Sequence, residues 1–557
     1  MSLKKELISL LEDMSELMEL KGENKFKIAA FKNGANILRQ LDNFEELLNQ
    51  NELKNVKGIG KGLLGVINEF IDEGEVKELN ELRSTTPNIM VEMLQIRGMG
   101  AKKIKLIYDE LSPKDLNDLE ELCRQNKIQN LKGFSKKTEE SIIDELKRIK
   151  ESSSKILLHH AFMIGEHIKK YLNELKSVLQ CEFVGEMRRI REVISQIELI
   201  CLVNSDKIFH QDCINILHEN NLVLITEENN KLVFVDSRKI RIVIHYFDNE
   251  IVFIKNKFLL TGDKSFVNNF DLSKNYKSEQ EIFTSSKIQF IIPEMREHEI
   301  IEKKGIQNIS NSDLELKAFR GFFHFHSTWS DGNNSIKEMI DEGSRLGFKY
   351  FALCDHSKSA YYANGLNEKR LIEQHKEIDE INKNSDFRVY KGIESDILKD
   401  GFLDYSDEIL KQFEFVVASI HSIFNLEEDE MTRRIISAIE NPYTDLLAHP
   451  TGRLLLTRDG YKVNIHKVID ACSQNDVAIE INANPHRLDL DWRNILYARE
   501  RGVKFSINPD AHSIDGIHDI NYGIMIARKG GILASEVINC FEENDFQKFI
   551  NRKVKRI

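Results

Sequence analysis

Apolar side chains recur at i, i+3 and i+4 through residues 1–150, with no sustained alternation. That period lays one apolar stripe along a helix, so this stretch is expected to be wholly helical. Its opening, "MSLKKELISLLEDMSELMEL", is an amphipathic acidic helix of the same kind. From about residue 180 the texture changes: "ISQIELICLV" (194–203), "KLVFVD" (231–236) and "KIRIVIHYF" (239–247) alternate or run apolar and β-branched, as strands do. Residues 264–320 are more polar, and 303–319, "KKGIQNISNSDLELKAF", is the best candidate linker. After 320 short strand-like runs alternate with helical stretches. They are "FFHFH", "KYFALCD", "RVYKGIE", "FEFVVASIH", "DLLAHP", "VAIEIN" and "VKFSINPDAH", seven β segments separated by α segments. That order predicts a parallel α/β barrel or sheet.

The helical region repeats a short glycine pattern. "VKGIGKGL", "IRGMGAKK" and "LKGFSKKT" place Gly58, Gly98 and Gly133 40 and 35 residues apart, the period of a repeated helical hairpin. Gly60 and Gly100 complete the first two copies; the third lacks its second glycine. Where Gly-x-Gly joins two helices, backbone N–H groups at the next helix start can meet a phosphate without reading sequence. A single copy would more often be an ordinary helix C-cap. Three copies point to helix-hairpin-helix DNA binding.

Composition narrows the class. A chain of 557 residues is expected to hold about three or four domains. No run of about 18 apolar residues occurs and the start lacks a signal-peptide pattern, so no membrane is expected and the cytoplasm is the default. Seven scattered cysteines without a CxxC pair read as reduced packing residues. A net charge of −12 argues against indiscriminate coating of nucleic acid, while leaving room for a local basic face.

The chemistry concentrates after residue 320. "HFHSTWSDG" supplies His324, His326 and Asp331, and the later β segments end in Asp355 and His356, Glu394, His421, His449, and Asp510 and His512. The C-terminal strand ends of an α/β barrel face one mouth, so these side chains are expected to converge. One histidine is usually hydrogen-bonded structure. Six at equivalent strand ends, mixed with carboxylates and no thiolate, suit a multinuclear Zn, Mn or Fe hydrolytic site.

These motifs resemble the polymerase-and-histidinol-phosphatase (PHP) domain over residues 320–557. The resemblance implies a distorted seven-stranded barrel in which nine residues hold three divalent metals. His324, His326, Glu394 and Asp510 would hold the first; Glu394 would bridge to the second with His421 and His449; Asp331, His356 and His512 would hold the third. Arg453 in "HPTGR" would add a phosphate contact. With "LKGENKFKIAAFKNGANIL" and the glycine hairpins, residues 1–302 are similar to the family X DNA polymerases, whose bacterial members carry a C-terminal PHP domain. The implied architecture is a helix-hairpin-helix region (1–150), a nucleotidyltransferase-like palm and thumb (151–302), the linker (303–319) and the barrel (320–557).

The palm departs from its family at the chemistry. Two-metal nucleotidyl transfer needs carboxylates two apart on one strand and a third on its neighbour. In "VGEMRRIREVISQIELICLV" those paired places hold Gln196 and Glu198, and the third, in "KIRIVIHYF", holds Arg241. Glu186 stands where the family's serine meets the triphosphate, and Val66, with Lys61 nearby, where a lyase lysine would be sought. The expected function is therefore a DNA-directed metal phosphodiesterase; the resemblance implies a DNA-repair 3′→5′ exonuclease with abasic-site endonuclease or 3′-end-processing activity, acting on gapped, nicked or 3′-recessed duplex without an obligate protein partner. An active polymerase with an unusual metal site and a small-molecule phosphatase are the alternatives.

Overall fold

The computed structural model describes residues 3–552 except 42, 43, 51 and 153. It divides into two units, Met1–Ser153 and Ser154–Ile557. Among the described residues the first unit contains helices only, the longer ones being Leu3–Lys21, Lys25–Gln40, Lys61–Glu73, Ala101–Leu111 and Lys136–Ser152. Leu11, Met14 and Met18 of the first helix are buried in one core with Leu63, Ile67, Ile104 and Ile107. The three hairpin glycines adopt left-handed backbone, φ +100° at Gly58, +77° at Gly98 and +87° at Gly133, which a side chain would strain. Gly60 and Gly100 cap the N-termini of the helices that follow. In the third copy Ser135 takes over the cap, accepting a bond from the Thr138 N–H at 3.2 Å.

The second unit opens with a two-stranded pair, β1 (Ile156–Leu157) with β3 (Val193–Ile194). A five-stranded mixed sheet follows: β2 (Val178–Phe183), β4 (Ile197–Val203), β5 (Val223–Glu228), β6 (Lys231–Val235) and β7 (Arg241–Phe247), in the order β2-β4-β7-β6-β5. Helices from Glu250 to Lys304 follow it. The seven strands after residue 320 are β8 (Gly321–Phe323), β9 (Tyr350–Leu353), β10 (Arg388–Asp396), β11 (Phe415–Ser419), β12 (Leu446–Leu447), β13 (Ala478–Asn482) and β14 (Phe505–Asn508). All neighbours pair parallel in consecutive order, and a Phe325–Ala511 bridge brings the two edges together. The result is a near-closed barrel with strand ends gathered at one mouth.

Palm sheet and barrel share a core, because Val184, Ile200 and Phe253 pack in the same cluster as barrel residues such as Ile481 and Ile507. Residues 303–319 contribute Ile309, Leu314 and Phe319 to that core, so the expected linker is a packed strap. Polar contacts add to the union. The buried Lys529 ammonium donates to the Arg189 carbonyl at 2.7 Å, the Glu294 carbonyl at 3.1 Å and Glu297 Oε1 at 2.7 Å. Trp492 Nε1 and Arg493 donate to Glu192 at 3.0 and 2.6 Å.

Candidate metal centre

Three of the strand-end residues turn back on themselves. His324, His449 and Asp510 have φ of +50°, +27° and +56°, conformations that cost a non-glycine residue about 1–3 kcal/mol each. Each follows the end of a short strand, β8, β12 and β14. Gly332 lets the loop after β8 fold tightly, since a Cβ there would lie 2.6 Å from the His326 carbonyl oxygen. Buried Asp355 then fastens the same loop, accepting from Ser327 N–H (2.8 Å), Ser327 Oγ (2.7 Å) and Ser330 Oγ (2.5 Å), with Gln374 Nε2 (2.7 Å).

All nine expected ligands meet at the mouth. Their ligand atoms form overlapping groups within 4.8 Å: His326, Asp331, His356 and His512; His324, Glu394 and His449; His324, His326 and Asp510; His356, Glu394 and His421. Glu394 is the hub, fully buried, with its oxygens 3.3 Å from His324 Nε2, 2.9 Å from His356 Nδ1, 3.3 Å from His421 Nε2 and 3.1 Å from His449 Nε2. His324 Nε2 and Glu394 Oε2 are buried and make no hydrogen bond. Such atoms are costly unless something binds them. The carboxylates favour positive charge on two of the imidazoles. Burial lowers His421, yet Glu394 and Asp396 overcome it and lift that imidazole to about 10. Burial likewise opposes, and Asp331 and Asp510 outweigh it, in lifting His512 to about 9. His326, buried and flanked by His512 and His356, is pushed down to about 3. Buried oxygen and imidazole donors without thiolate fit several divalent cations.

Residues outside the expected set orient the imidazoles. Glu480 on β13 takes His324 Nδ1 at 2.6 Å and the His449 N–H at 2.8 Å, and Asp396 takes His421 Nδ1 at 2.5 Å. A carboxylate on Nδ1 leaves Nε2 aimed at the centre. Asp396 closes β10 in "GIESDI", a strand-end position that could have found it, whereas Glu480 sits in the middle of β13 in "VAIEIN". Arg453 has its donors engaged by Asp491, by the Leu488 carbonyl and by the Arg487 carbonyl at 2.9 Å. Arg487 is half-buried and makes no ion pair among the described residues.

The palm sheet presents a different inventory. Glu198 opposes Val243 in the parallel β4–β7 pair, so Glu198, Val243 and Arg241 share one face, with Gln196 just before β4. Glu198 packs on Gly185, where a Cβ would meet its Oε2 at 1.9 Å, and lies 3.8 Å from His245 Nε2. Glu186 accepts from the Ser195 N–H and Oγ at 2.6 and 2.7 Å. Arg188 is paired with Glu279 at 2.5 Å and Arg189 with Glu297 at 3.2 Å.

Comparison with known proteins accords with this geometry. Residues 2–76 match a helix-hairpin-helix domain, 90–148 a SAM-like helix-hairpin-helix tandem, and 323–484 the PHP domain. Along its length the chain is 34% identical over 572 residues to the DNA polymerase/3'-5' exonuclease PolX of Bacillus subtilis (strain 168), covering 99% of each protein. The chain belongs to the PolX family. Its barrel alone is similar to smaller proteins: a probable phosphatase of Thermoanaerobacter sp. (strain X514) is 27% identical over 250 residues, 42% of this chain and 95% of that protein. Another, from Acetivibrio thermocellus, is 28% identical over 235 residues, 40% of this chain and 91% of that protein. PolX membership thus accounts for the order of helical hairpins, mixed sheet and PHP barrel. Among the described residues no helix is long and apolar enough to cross a membrane.

Proposed function

We propose that the chain is a DNA-directed, metal-dependent phosphodiesterase of the PolX type, a 3′→5′ exonuclease whose barrel also processes abasic or blocked 3′ ends, and whose palm does not incorporate nucleotides. The gathering of nine imidazole and carboxylate groups at one mouth, four of the imidazoles around Glu394, carries the reading. His324, His326, Glu394 and Asp510 would hold one divalent ion, Glu394, His421 and His449 a second, and Asp331, His356 and His512 a third, with Mn, Zn or Fe suiting the donors. Bound there, such ions supply Lewis acidity that activates water and balances phosphate charge. The chain's own part is orientation: Glu480 and Asp396 fix His324 and His421, and Asp355 fixes the loop bearing Asp331. Arg487 would contact the phosphate, with Arg453 bracing the loop that carries it.

DNA would be held through phosphates by the N–H groups at Gly58, Gly60, Gly98, Gly100 and Gly133. Gapped, nicked and 3′-recessed duplexes are the expected substrates. In the palm, Gln196 is a weak neutral ligand, and the Arg241 guanidinium would repel a divalent ion by several kcal/mol even at an effective dielectric of about 20. A small-molecule phosphatase reading draws on the barrel's phosphatase relatives, but such an enzyme has no use for two helix-hairpin-helix regions. The test is a 3′-recessed duplex assayed beside a small phosphomonoester with Mn²⁺. Shortening of DNA that falls steeply with salt supports the proposal; efficient monoester hydrolysis with DNA left intact overturns it.

A further inference from the structure

Beside the metal centre the chain displays two aromatic rings that its own core does not use. The segment "SKSAYYANGL" (357–366) follows the ligand His356, and Tyr361–Ala363 forms a single 3₁₀ turn within it. Tyr361 is 88% and Tyr362 61% exposed, whereas the imidazoles of His356 and His421 beside them are largely buried. The Tyr362 ring centre lies 6.3 Å from the His356 imidazole and 6.3 Å from that of His421. Among the described residues neither phenol hydroxyl makes a hydrogen bond.

The turn that presents them is rigid. The Leu366 N–H donates to the His356 carbonyl at 2.9 Å, and the Gly365 N–H to Ala360 at 3.1 Å. A Cβ on Gly365 would lie 1.9 Å from the Ser357 carbonyl oxygen, so the two arms of the loop touch at a position only glycine fits. Arg370 Nη1 donates to the Asn364 carbonyl at 2.7 Å, and Asn364 Nδ2 reaches the Ser330 carbonyl at 3.4 Å, tying this loop to the one after β8. A fixed, exposed aromatic face beside a phosphate-binding centre is a stacking platform whose partner has to be planar and one sugar away from the phosphate. A nucleobase meets both conditions, and every base offers a π-face, so the platform needs no sequence preference.

We propose that Tyr362, with Tyr361 beside it, stacks on the nucleobase of the terminal nucleotide whose phosphodiester sits at the metal centre. The proposal rests on the nuclease reading above and adds the residue that grips the end. A one-sided platform takes an unpaired base, so the terminal pair must open before it can be held.

Two measurements test this. In the first, cleavage efficiency is compared between a 3′ end carrying a normal nucleotide and one carrying an abasic tetrahydrofuran residue, for wild type, Tyr362→Ala, Tyr362→Phe and Tyr361→Ala. Wild type should favour the base-bearing end, Tyr362→Ala should shrink that preference about tenfold, chiefly through KM, and Tyr362→Phe should keep it. A preference untouched by Tyr362→Ala, or one lost equally in Tyr362→Phe, overturns stacking. In the second, quenching of a 3′-terminal 2-aminopurine oligonucleotide is followed without added metal, where no turnover is needed. Quenching by wild type and its relief in Tyr362→Ala are expected; equal quenching by both contradicts the platform. Absence of cleavage by wild type would count against the nuclease reading alone, since the quenching result is read independently.

Discussion

The barrel mouth and the face of the five-stranded sheet lie in one unit and both set polar residues at the ends of parallel strands, C-terminal ends at the mouth and N-terminal ends at Glu198 and Arg241, yet they carry different donors. At the mouth, Glu394 is surrounded by imidazoles within about hydrogen-bond range, and further acids stand behind them. On the palm, one acid, Glu198, shares its face with Arg241, and the neighbouring Glu186 is engaged by Ser195. The arginines of "GEMRR" face inward to Glu279 and Glu297. Where Glu297 also meets the barrel's Lys529, the palm has become the plate on which the barrel is mounted. Divalent metal chemistry needs clustered anionic donors, and the mouth gathers them where the face of the five-stranded sheet offers Glu198 beside Arg241.

The largest effect is expected at the hub. Glu394→Gln should abolish DNA shortening and remove two of three bound metals by elemental analysis, whereas His512→Ala should remove one and leave the fold intact. Equal metal content in Glu394→Gln and wild type would break the bridging role. Next, furnishing the palm should sharpen the contrast: Gln196→Asp with Glu198→Asp and Arg241→Asp should produce primer extension that the wild type lacks. No gain in a folded triple variant would mean that the palm lacks more than ligands.

A smaller loss is expected behind the ligands. Glu480→Gln and Asp396→Asn should each weaken metal affinity by about 10–100-fold, read by titration with a chelator. Unaltered affinity would make them bystanders. The last effect concerns the mounting and touches stability, with the chemistry unchanged. Burial opposes ionisation of Glu297, but Lys529, Arg189 and Arg191 hold its carboxyl down at about 2, against an ordinary 4.5. A depressed carboxyl stabilises the fold above its unfolded value, and that contribution fades as pH falls from about 4.5 to about 2; it amounts to the order of 3 kcal/mol. Glu297→Gln should flatten that part of the stability–pH profile in denaturant melts, and an unchanged slope would assign it to other groups.

Much of the candidate site was legible because its clustered imidazoles and carboxylates sit at or near strand ends, and strand ends show in the hydrophobic pattern. The sequence alone places His324, Glu394 and Asp510 at one mouth, since a parallel sheet has only one C-terminal face. Glu480 escaped notice because it lies inside an apolar strand, where a lone acid looks like register noise; only the fold shows it beneath His324. Arg453 looked like a phosphate contact because it follows His449 closely, but the loop turns its guanidinium toward Asp491. The strap 303–319 read as a linker on polarity, since its three core residues are too widely spaced to mark an element. Left-handed backbone at His324, His449 and Asp510 leaves no trace in sequence, because histidine and aspartate do not announce it as glycine does.

The contrast between mouth and palm is tested most directly on one gel. A 5′-labelled primer in a gapped duplex is incubated with Mn²⁺ and all four nucleotides, using wild type, Glu394→Gln and Glu198→Ala. Wild type and Glu198→Ala should shorten the primer without extending it, and Glu394→Gln should do neither. Robust extension by wild type that disappears in Glu198→Ala would contradict the account.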